Sequence, residues 1–236
     1  MFELPAHFAY LFLTLPFLIV WFVLFLTSKP TRAEQVRFSY LGAVIGPLSE
    51  IIYFKDYWLP KSVLFVNVGS FPLMLEDVLF GFAIGGIAAV IFEVAFRTKL
   101  RKLSHHSKHI IKSWAIAFIF ILTILILLGL GLNSIYASAI AFLVASIPII
   151  FYRHDLLLNA VGSGVGVMLV MFVSYYLLFN LVSNTEELMK GQWLIHGTSL
   201  DLRFAGIPLT EMAWGFTWGF LAGPFYEFLV NRRNQL

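Results

Sequence analysis

The sequence predicts an all-α protein, a polytopic membrane helix bundle with seven transmembrane helices. Hydrophobic residues make up 60% of the 236 positions, and the mean hydropathy is +0.87. Only 12% of the residues are charged, which is about half the share found in soluble domains. Apolar stretches of about 20 residues, the length that crosses a bilayer, use up nearly the whole chain. Lysines and arginines gather in alternate loops, which is typical of a polytopic membrane protein.

The seven predicted spans follow one another with short connections. They lie at residues 6–27, 38–54, 72–96, 113–132, 135–152, 159–182 and 207–230. The second span is the weakest of them, because it is short and contains Pro47 and Glu50. No stretch is left over for a soluble domain, so we expect a single membrane domain over residues 1–236.

The positions of the basic residues predict the orientation of the chain. The basic loops and the tail hold Lys29, Arg32, Arg37, Arg97, Lys99, Arg101, Lys102, Lys108, Lys112, Arg153, Arg232 and Arg233. The intervening loops hold only Lys55, Lys61, Lys190 and Arg203. The positive-inside rule therefore predicts a multi-pass protein of the cell membrane, with its N-terminus outside and its C-terminus in the cytoplasm. The same rule explains the net charge of +3 without a nucleic-acid partner.

An internal repeat with an offset of 134 residues relates the third span to the seventh. Leu75, Gly81, Phe82, Gly85 and Glu93 recur as Leu209, Gly215, Phe216, Gly219 and Glu227, and Asp77 recurs as Glu211. Both spans are predicted to run from outside to inside, so the repeat is parallel. We expect repeat halves at about residues 1–97 and 135–231, joined by a linker span at 113–132.

Six acids fall inside the predicted spans, where hydrocarbon favours their neutral, protonated form. Four lie near the outer ends and are the candidate catalytic residues: Glu50, Glu76, Asp77 and Glu211. A protonated carboxylic acid in an apolar site suits Brønsted-acid catalysis. Glu93 and Glu227 lie sixteen residues further along their spans, about 24 Å away by helix rise. We expect them to be structural, with Glu93 pairing with Arg97.

Aromatic residues near the outer acids are candidates for substrate binding, because their ring faces stabilise a cation. They are Phe80, Phe82, Trp214, Phe216 and Trp218. Ordinary packing within the bundle is the alternative for each of them.

Glycines at a spacing of four predict close helix packing. They are Gly81 and Gly85 in the third span, and Gly215, Gly219 and Gly223 in the seventh. Gly162, Gly164 and Gly166 spell GxGxG, but no strand precedes them, so a dinucleotide site is not expected. The chain has no cysteine, which excludes disulfides and cysteine metal sites. We predict no metal and no cofactor.

Two segments carry a resemblance to a known family. Residues 74–80 (MLEDVLF) and 208–212 (PLTEM) resemble the PxE(E/D) motifs of the small membrane lycopene beta-cyclases of the heterodimeric and fused type. The resemblance extends over residues 56–96 and 190–228. Met74 stands where the first motif has proline, and Thr210 replaces the first acid of the second motif.

The resemblance implies an enzyme of carotenoid biosynthesis, an isomerase of the intramolecular lyase type. Such an enzyme cyclises lycopene or a related isoprenoid end group to an ionone ring without a redox step. The resemblance implies that Asp77 or Glu211 donates the proton and that the other acids act as base or orienting groups. The expected partners are an isoprenoid lipid substrate and membrane lipids, and a homo-oligomer is compatible with the sequence. The alternative is a proton-coupled transporter or a non-enzymatic membrane protein, since repeats and intramembrane acids also suit transport.

Overall fold

The computed structural model describes residues 1–69, 71–97, 99–102, 113–230 and 232–235. The described chain is mostly helical. Its helices are α1 (Ala9–Thr27), α2 (Arg32–Tyr53), α3 (Leu75–Phe96), α4 (Ser113–Gly129), α5 (Ser134–Tyr152), α6 (Leu157–Leu181), α7 (Thr185–Gln192) and α8 (Leu209–Val230). Its short strands are β1 (Phe65–Val68), β2 (Phe71–Met74), β3 (Lys99–Lys102), β4 (Arg203–Phe204), β5 (Ile207–Pro208) and β6 (Arg232–Gln235).

Each predicted span coincides with a helix, but not every helix is apolar enough to be assigned to a membrane by composition. In the described ranges, four segments are long and apolar enough to cross a bilayer: Ala6–Thr27, Leu75–Phe96, Ser134–Tyr152 and His154–Leu181. The shorter helix Ser113–Gly129 is also apolar. The count of seven spans and the internal repeat therefore stay predictions.

The structure corrects three boundaries. Helix α2 begins at Arg32 rather than at residue 38, so Glu34 is a buried helical residue and not part of a loop. The first residues of the third and seventh predicted spans form strands β2 and β5 instead of helix. Each of these strands pairs antiparallel with the strand before it, β1 with β2 and β4 with β5. The strands are only two to four residues long, too short for a clear alternating pattern.

Helix α3 occupies the middle of the bundle and contacts α1, α2, α6 and α8. Its central residues Ala83, Ile84, Ile87 and Ala88 are buried. A helix that is apolar on all sides suits such a position, because it can bury its whole circumference. Helix α4 packs chiefly on α5, and it leaves an apolar face exposed around Leu125.

The glycine prediction is confirmed by two close helix pairs. A Cβ on Gly42 of α2 would overlap the carbonyl oxygen of Gly81 of α3, and a Cβ on Gly81 would overlap that of Gly42. In the second pair, a Cβ on Gly219 of α8 would lie 2.9 Å from Cα of Gly164 in α6. Gly164 belongs to the GxGxG run, so this run serves helix packing.

The connections before α3 and α8 meet at one end of the bundle, which we call the site end. It comprises residues 1–8, 54–69, 130–133 and 182–208 together with β2. Trp58 and Trp193 form an antiparallel bridge there, and the Leu194 amide donates to the Tyr57 carbonyl at 2.8 Å. Phe2 bridges to Val182 at the same end. At the opposite end, strand β3 pairs with strand β6.

Candidate active site

The four acids predicted as catalytic are all buried at the site end, and they are Glu50, Glu76, Asp77 and Glu211. They come from the last turn of α2 and the first turns of α3 and α8. Glu50 lies within electrostatic reach of both Asp77 and Glu211, so three helices bring their acids together. No lysine or arginine in the described part of the chain forms an ion pair with any of the four. Phenol and indole groups supply their polar contacts instead.

Glu211 is held by donors from the two paired connections. Its Oε1 accepts a hydrogen bond from the Tyr57 hydroxyl and another from Trp193 Nε1 at 3.1 Å. The Tyr175 hydroxyl lies beside the same carboxyl group. Burial and the neighbouring Glu211 charge raise the pKa of Tyr57 well above its ordinary value. Tyr57 is therefore a neutral hydroxyl donor across the whole neutral pH range.

Glu50 and Asp77 form the less constrained part of the cluster. Trp58 Nε1 donates to Glu50 Oε2 at 2.9 Å. Within the described residues, neither carboxyl oxygen of Asp77 makes a hydrogen bond of standard geometry, although the Tyr10 hydroxyl and the Met74 backbone lie close enough to interact with this carboxyl group. Asp77 is thus buried beside a phenol and is held less tightly by hydrogen bonds than Glu211 is.

Glu76 is the neighbour of Asp77 in sequence but has different contacts. One of its oxygens accepts the Val63 amide at 2.7 Å, and the other accepts the Ser62 hydroxyl. Both partners lie at the base of the β1–β2 hairpin. Both oxygens of Glu76 are therefore engaged in holding a loop, unlike those of Asp77.

Three of the five predicted aromatic residues gather beside the acids. Phe80 lies 6.2 Å from Trp214 between ring centroids, and Trp214 lies 6.3 Å from Trp218. Trp214 Nε1 donates to the Tyr53 hydroxyl at 2.8 Å. Phe80 also contacts Tyr10, at 6.1 Å between centroids, which joins the ring cluster to Asp77.

The other two predicted aromatics lie elsewhere. Phe82 packs on Trp21, at 5.0 Å between ring centroids, and Phe216 packs on Phe220, at 5.9 Å. Side chains two positions apart on a helix point in directions that differ by about 200°, so Phe82 cannot share the face of Phe80. The same geometry separates Phe216 from Trp214 and Trp218.

Sequence reasoning missed the polar aromatic residues that hold the acids: Tyr10, Tyr53, Tyr57, Trp58, Tyr175 and Trp193. Tyrosines and tryptophans near span ends are usually read as interfacial belts. One signal was present, because a tryptophan precedes each of the two spans that the sequence predicts to be related. The carboxylates that those tryptophans reach were not indicated by the sequence.

The two inner acids, Glu93 and Glu227, form a separate polar layer between α3, α6 and α8. Asn159 Nδ2 donates to Glu93 Oε1 at 2.7 Å, and Ser163 donates to Asn159 Oδ1 at 3.0 Å. Glu227 is buried and lies within electrostatic reach of Glu93. Asn159 is a partner that the sequence did not indicate. Throughout the described ranges, no group of three acidic or histidine side chains is arranged to hold a metal ion.

Buried acids with phenol and indole partners, at one end of an apolar helix bundle, define a membrane protein with a candidate acid–base site. Residues 133–229 match the family described as lycopene cyclase. This match covers α5 to α8 and includes Glu211. It supports a lycopene cyclase family assignment, and it includes the second of the two resembling segments, residues 208–212. No curated protein and no solved structure matches the chain.

Proposed function

We propose that the protein is an integral membrane carotenoid cyclase, which converts lycopene or a related isoprenoid end group to an ionone ring. The observation that carries the proposal is the buried group of Glu50, Asp77 and Glu211 beside the rings of Phe80 and Trp214. The lycopene cyclase match over residues 133–229 supports the substrate class. An apolar helix bundle also suits a hydrocarbon substrate, which dissolves in the bilayer rather than in water.

The proposed reaction is a proton-in, proton-out cyclisation. An acid gives its proton to one carbon of the terminal double bond, and the other carbon becomes a tertiary cation. An internal double bond attacks this cation, which forms the ring bond and moves the positive charge into the ring. A carboxylate then removes a proton from an adjacent carbon, whose bonding electrons form the ring double bond. One proton enters and one leaves, so no oxidant or cofactor is needed.

The contacts of the acids suggest their roles. Asp77 is the proposed proton donor, because no donor among the described residues holds its oxygens in standard hydrogen-bond geometry. Glu50 has a single indole partner and is the proposed base. Glu211 is held by Tyr57 and Trp193 and is the proposed orienting group, with its charge near the developing cation. Both oxygens of Glu76 hold the loop before β1, so Glu76 has a proposed positioning role rather than a proton-transfer role.

The rings of Phe80 and Trp214 are the proposed cation-stabilising surface. A cation over an aromatic face within about 6 Å of the centroid gains about 2 kcal/mol when water is excluded. Trp218 extends this surface toward Phe142, whose ring centroid lies 5.3 Å away. Phe82 and Phe216 are not part of this proposed surface.

The test is expression in a bacterium that accumulates lycopene, followed by chromatography of the pigments. The wild type should convert lycopene, whereas Asp77→Asn and Glu211→Gln should each lose about two to four orders of magnitude in rate. Both substitutions keep side-chain size, but Asp77→Asn removes the transferable proton and Glu211→Gln removes the charge of the proposed orienting group. Glu93→Gln and Glu227→Gln are matched controls, because they change the same groups in the inner layer. If the wild type converts no carotenoid, the proposed substrate is wrong, and if only the inner variants fail, the proposed site is wrong.

The proposed enzyme spans the cell membrane seven times, with its N-terminus outside and its C-terminus in the cytoplasm. The loop charges support this orientation, and the site end would then face outward. The parallel repeat of the two halves is part of the same proposal. It is supported by the shared order of strand pair and helix at β1–β2–α3 and β4–β5–α8.

Proton-coupled transport is the second candidate, favoured by one observation. Helices α3 and α8 each carry a buried acid at both ends, with Asp77 and Glu211 at the site end and Glu93 and Glu227 toward the other. A transporter could pass protons between two such layers. Purified protein in liposomes should then acidify the lumen in response to a solute gradient. A cyclase without transport activity would show no such flux.

A further inference from the structure

The β1–β2 hairpin has the composition of a membrane segment although it lies outside the helices. Residues 62–75 contain no charged residue, and Lys61 and Glu76 bracket them. Leu64, Phe65, Val66 and Val68 are 58%, 54%, 64% and 62% exposed. A loop in water is usually polar, and an exposed run of large apolar side chains indicates a binding surface or a lipid contact.

The hairpin is held in a defined position by its base. The Leu75 amide donates to the Leu64 carbonyl at 3.0 Å. Strand β1 pairs antiparallel with β2, with Phe65 opposite Met74 and Val68 opposite Phe71. Glu76 receives the Val63 amide and the Ser62 hydroxyl from the first arm. Because Glu76 lies in the first turn of α3, these contacts fix the hairpin to the helix that also carries Asp77.

The apolar surface of the hairpin continues the outer surface of helix α2. Val44, Leu48 and Ile51 of α2 are exposed along one side. At the end of this helix, Phe54 stacks on Phe71 of β2 with ring centroids 5.8 Å apart. The side of α2 that is proposed to face lipid is therefore joined to the hairpin by an apolar contact.

The second hairpin, β4–β5, shows that a strand pair in this place need not be apolar. Arg203 at its start bonds Asp201, with a distance of 2.7 Å between Nη2 and Oδ2. The Arg203–Asp201 contact lowers the pKa of Asp201 and keeps a charged pair at this loop. The two hairpins precede α3 and α8 in the same way, so the apolar composition of β1–β2 is a property of that hairpin alone.

We propose that residues 62–69 and 71–75 form a flap that docks into the interfacial layer of the lipid bilayer at the site end, with Glu76 as its positioning residue. The paired strands satisfy the backbone groups that face each other, and the groups on the two outer edges can bond the water and headgroups of the interfacial layer, which the hydrocarbon core would not allow. The absence of charge from residues 62–75 favours lipid over an ionic partner surface. The proposal does not depend on the cyclase activity, because it concerns only where the flap lies.

The chain contains no cysteine, so single-cysteine variants can locate the flap in lipid nanodiscs. Val66→Cys reports on the flap, Leu125→Cys on the exposed apolar face of α4, and Ser199→Cys on the polar loop at the site end. Each variant is tested with a water-soluble maleimide and, after bimane labelling, with nitroxide-bearing phospholipids. Val66→Cys should react at least about tenfold more slowly than Ser199→Cys, which corresponds to ~1.4 kcal/mol. The lipid nitroxide should quench the bimane on Val66→Cys, and it should quench the bimane on Leu125→Cys to a similar extent.

Two results would overturn the proposal that the flap contacts lipid. Reaction of Val66→Cys as fast as Ser199→Cys, without lipid quenching, would place it in water. Efficient oxidative crosslinking of Val66→Cys between two chains would show that a second copy covers the hairpin instead of lipid.

The role of Glu76 is tested in the Val66→Cys background. Glu76→Ala should raise the maleimide rate severalfold, because the base of the flap loses two hydrogen bonds, while Glu3→Ala at an exposed site should not change it. Ser62→Ala removes one of the two bonds from the loop side and tests the same contact if Glu76→Ala does not fold. Unchanged reactivity in a folded Glu76→Ala or Ser62→Ala variant would contradict the positioning role.

Discussion

Alanine substitutions at the glycines between α2 and α3 and between α6 and α8, which we call the two glycine seams, test the helix packing that positions the candidate site. A Cβ added at Gly85 would lie 2.5 Å from the Phe38 carbonyl oxygen, and one added at Gly219 would lie 2.5 Å from the Ser163 carbonyl oxygen. Ordinary van der Waals contact begins at 3.4 Å, so each methyl group requires the helices to separate by 3.4 − 2.5 = 0.9 Å. The obstructing atoms are backbone and cannot rotate away.

The size of the effect follows from two opposing contributions. Overpacking a tightly packed interior costs about 1–3 kcal/mol, whereas glycine to alanine in a helix gains about 0.5–1 kcal/mol. Gly85→Ala and Gly219→Ala should therefore lose a net ~1–2 kcal/mol. Gly215→Ala should lose less, because its methyl group meets the flexible side chain of Met171, 2.7 Å from Cγ. Gly129→Ala meets no atom within 4 Å and should be neutral or stabilising.

The assay is thermal unfolding of the four variants in the same detergent. A loss of 1 kcal/mol lowers Tm by about 2–4 °C in a chain of 150–250 residues, so the two seam variants should fall by roughly 2–8 °C. Gly129→Ala is the matched control, since it adds the same methyl group to helix α4 without a neighbour. If Gly85→Ala and Gly219→Ala have the same Tm as Gly129→Ala, the close approach of α2 to α3 and of α6 to α8 is wrong.

Three further predictions concern ionisation and orientation. The pKa of Tyr57 is raised, so the folded state keeps this proton to a higher pH than the unfolded state does. Stability should therefore fall as pH rises above about 10. Tyr57→Phe should reduce that fall in thermal unfolding at alkaline pH. The Asp201 pKa is lowered, chiefly by its hydrogen bond to Arg203, so its contribution is present above about pH 4 and is lost as pH falls through the folded pKa. Asp201→Asn should therefore flatten the acid side of the melting profile, and an unchanged profile would contradict this. Reporters fused after residue 112 should read cytoplasmic and those in the 186–203 loop external, and the reverse pattern would invert the proposed topology.

The helices were predictable because their signals are local. Apolar runs of bilayer length located each long helix to within a few residues at most ends. The one large boundary error, at the start of α2, arose because Arg32, Glu34 and Arg37 read as a loop. Hydropathy cannot distinguish a polar loop from a polar helical turn, and nothing in the sequence revealed that Glu34 becomes buried.

The candidate site was only half predictable, because its acids and its donors come from different kinds of segment. A carboxylic acid within an apolar helix stands out in any sequence, and Glu50, Asp77 and Glu211 were identified in this way. Their partners Tyr57, Trp58 and Trp193 lie in connections whose conformation depends on pairing across 135 positions, from Trp58 to Trp193. Pairing between segments so far apart leaves no repeating pattern in the sequence from which it could be predicted.

The pairing of the two connections also explains how one site can draw on both halves of the chain. Glu211 belongs to the second half, but its hydroxyl donor Tyr57 belongs to the first. Glu50 belongs to the first half, and its indole donor Trp58 is bridged to Trp193, which donates to Glu211. A change in either connection must therefore reach acids in both halves, because the donors share one bridge. The site is thus a property of the joined halves, and neither half contains a complete set of acids and donors.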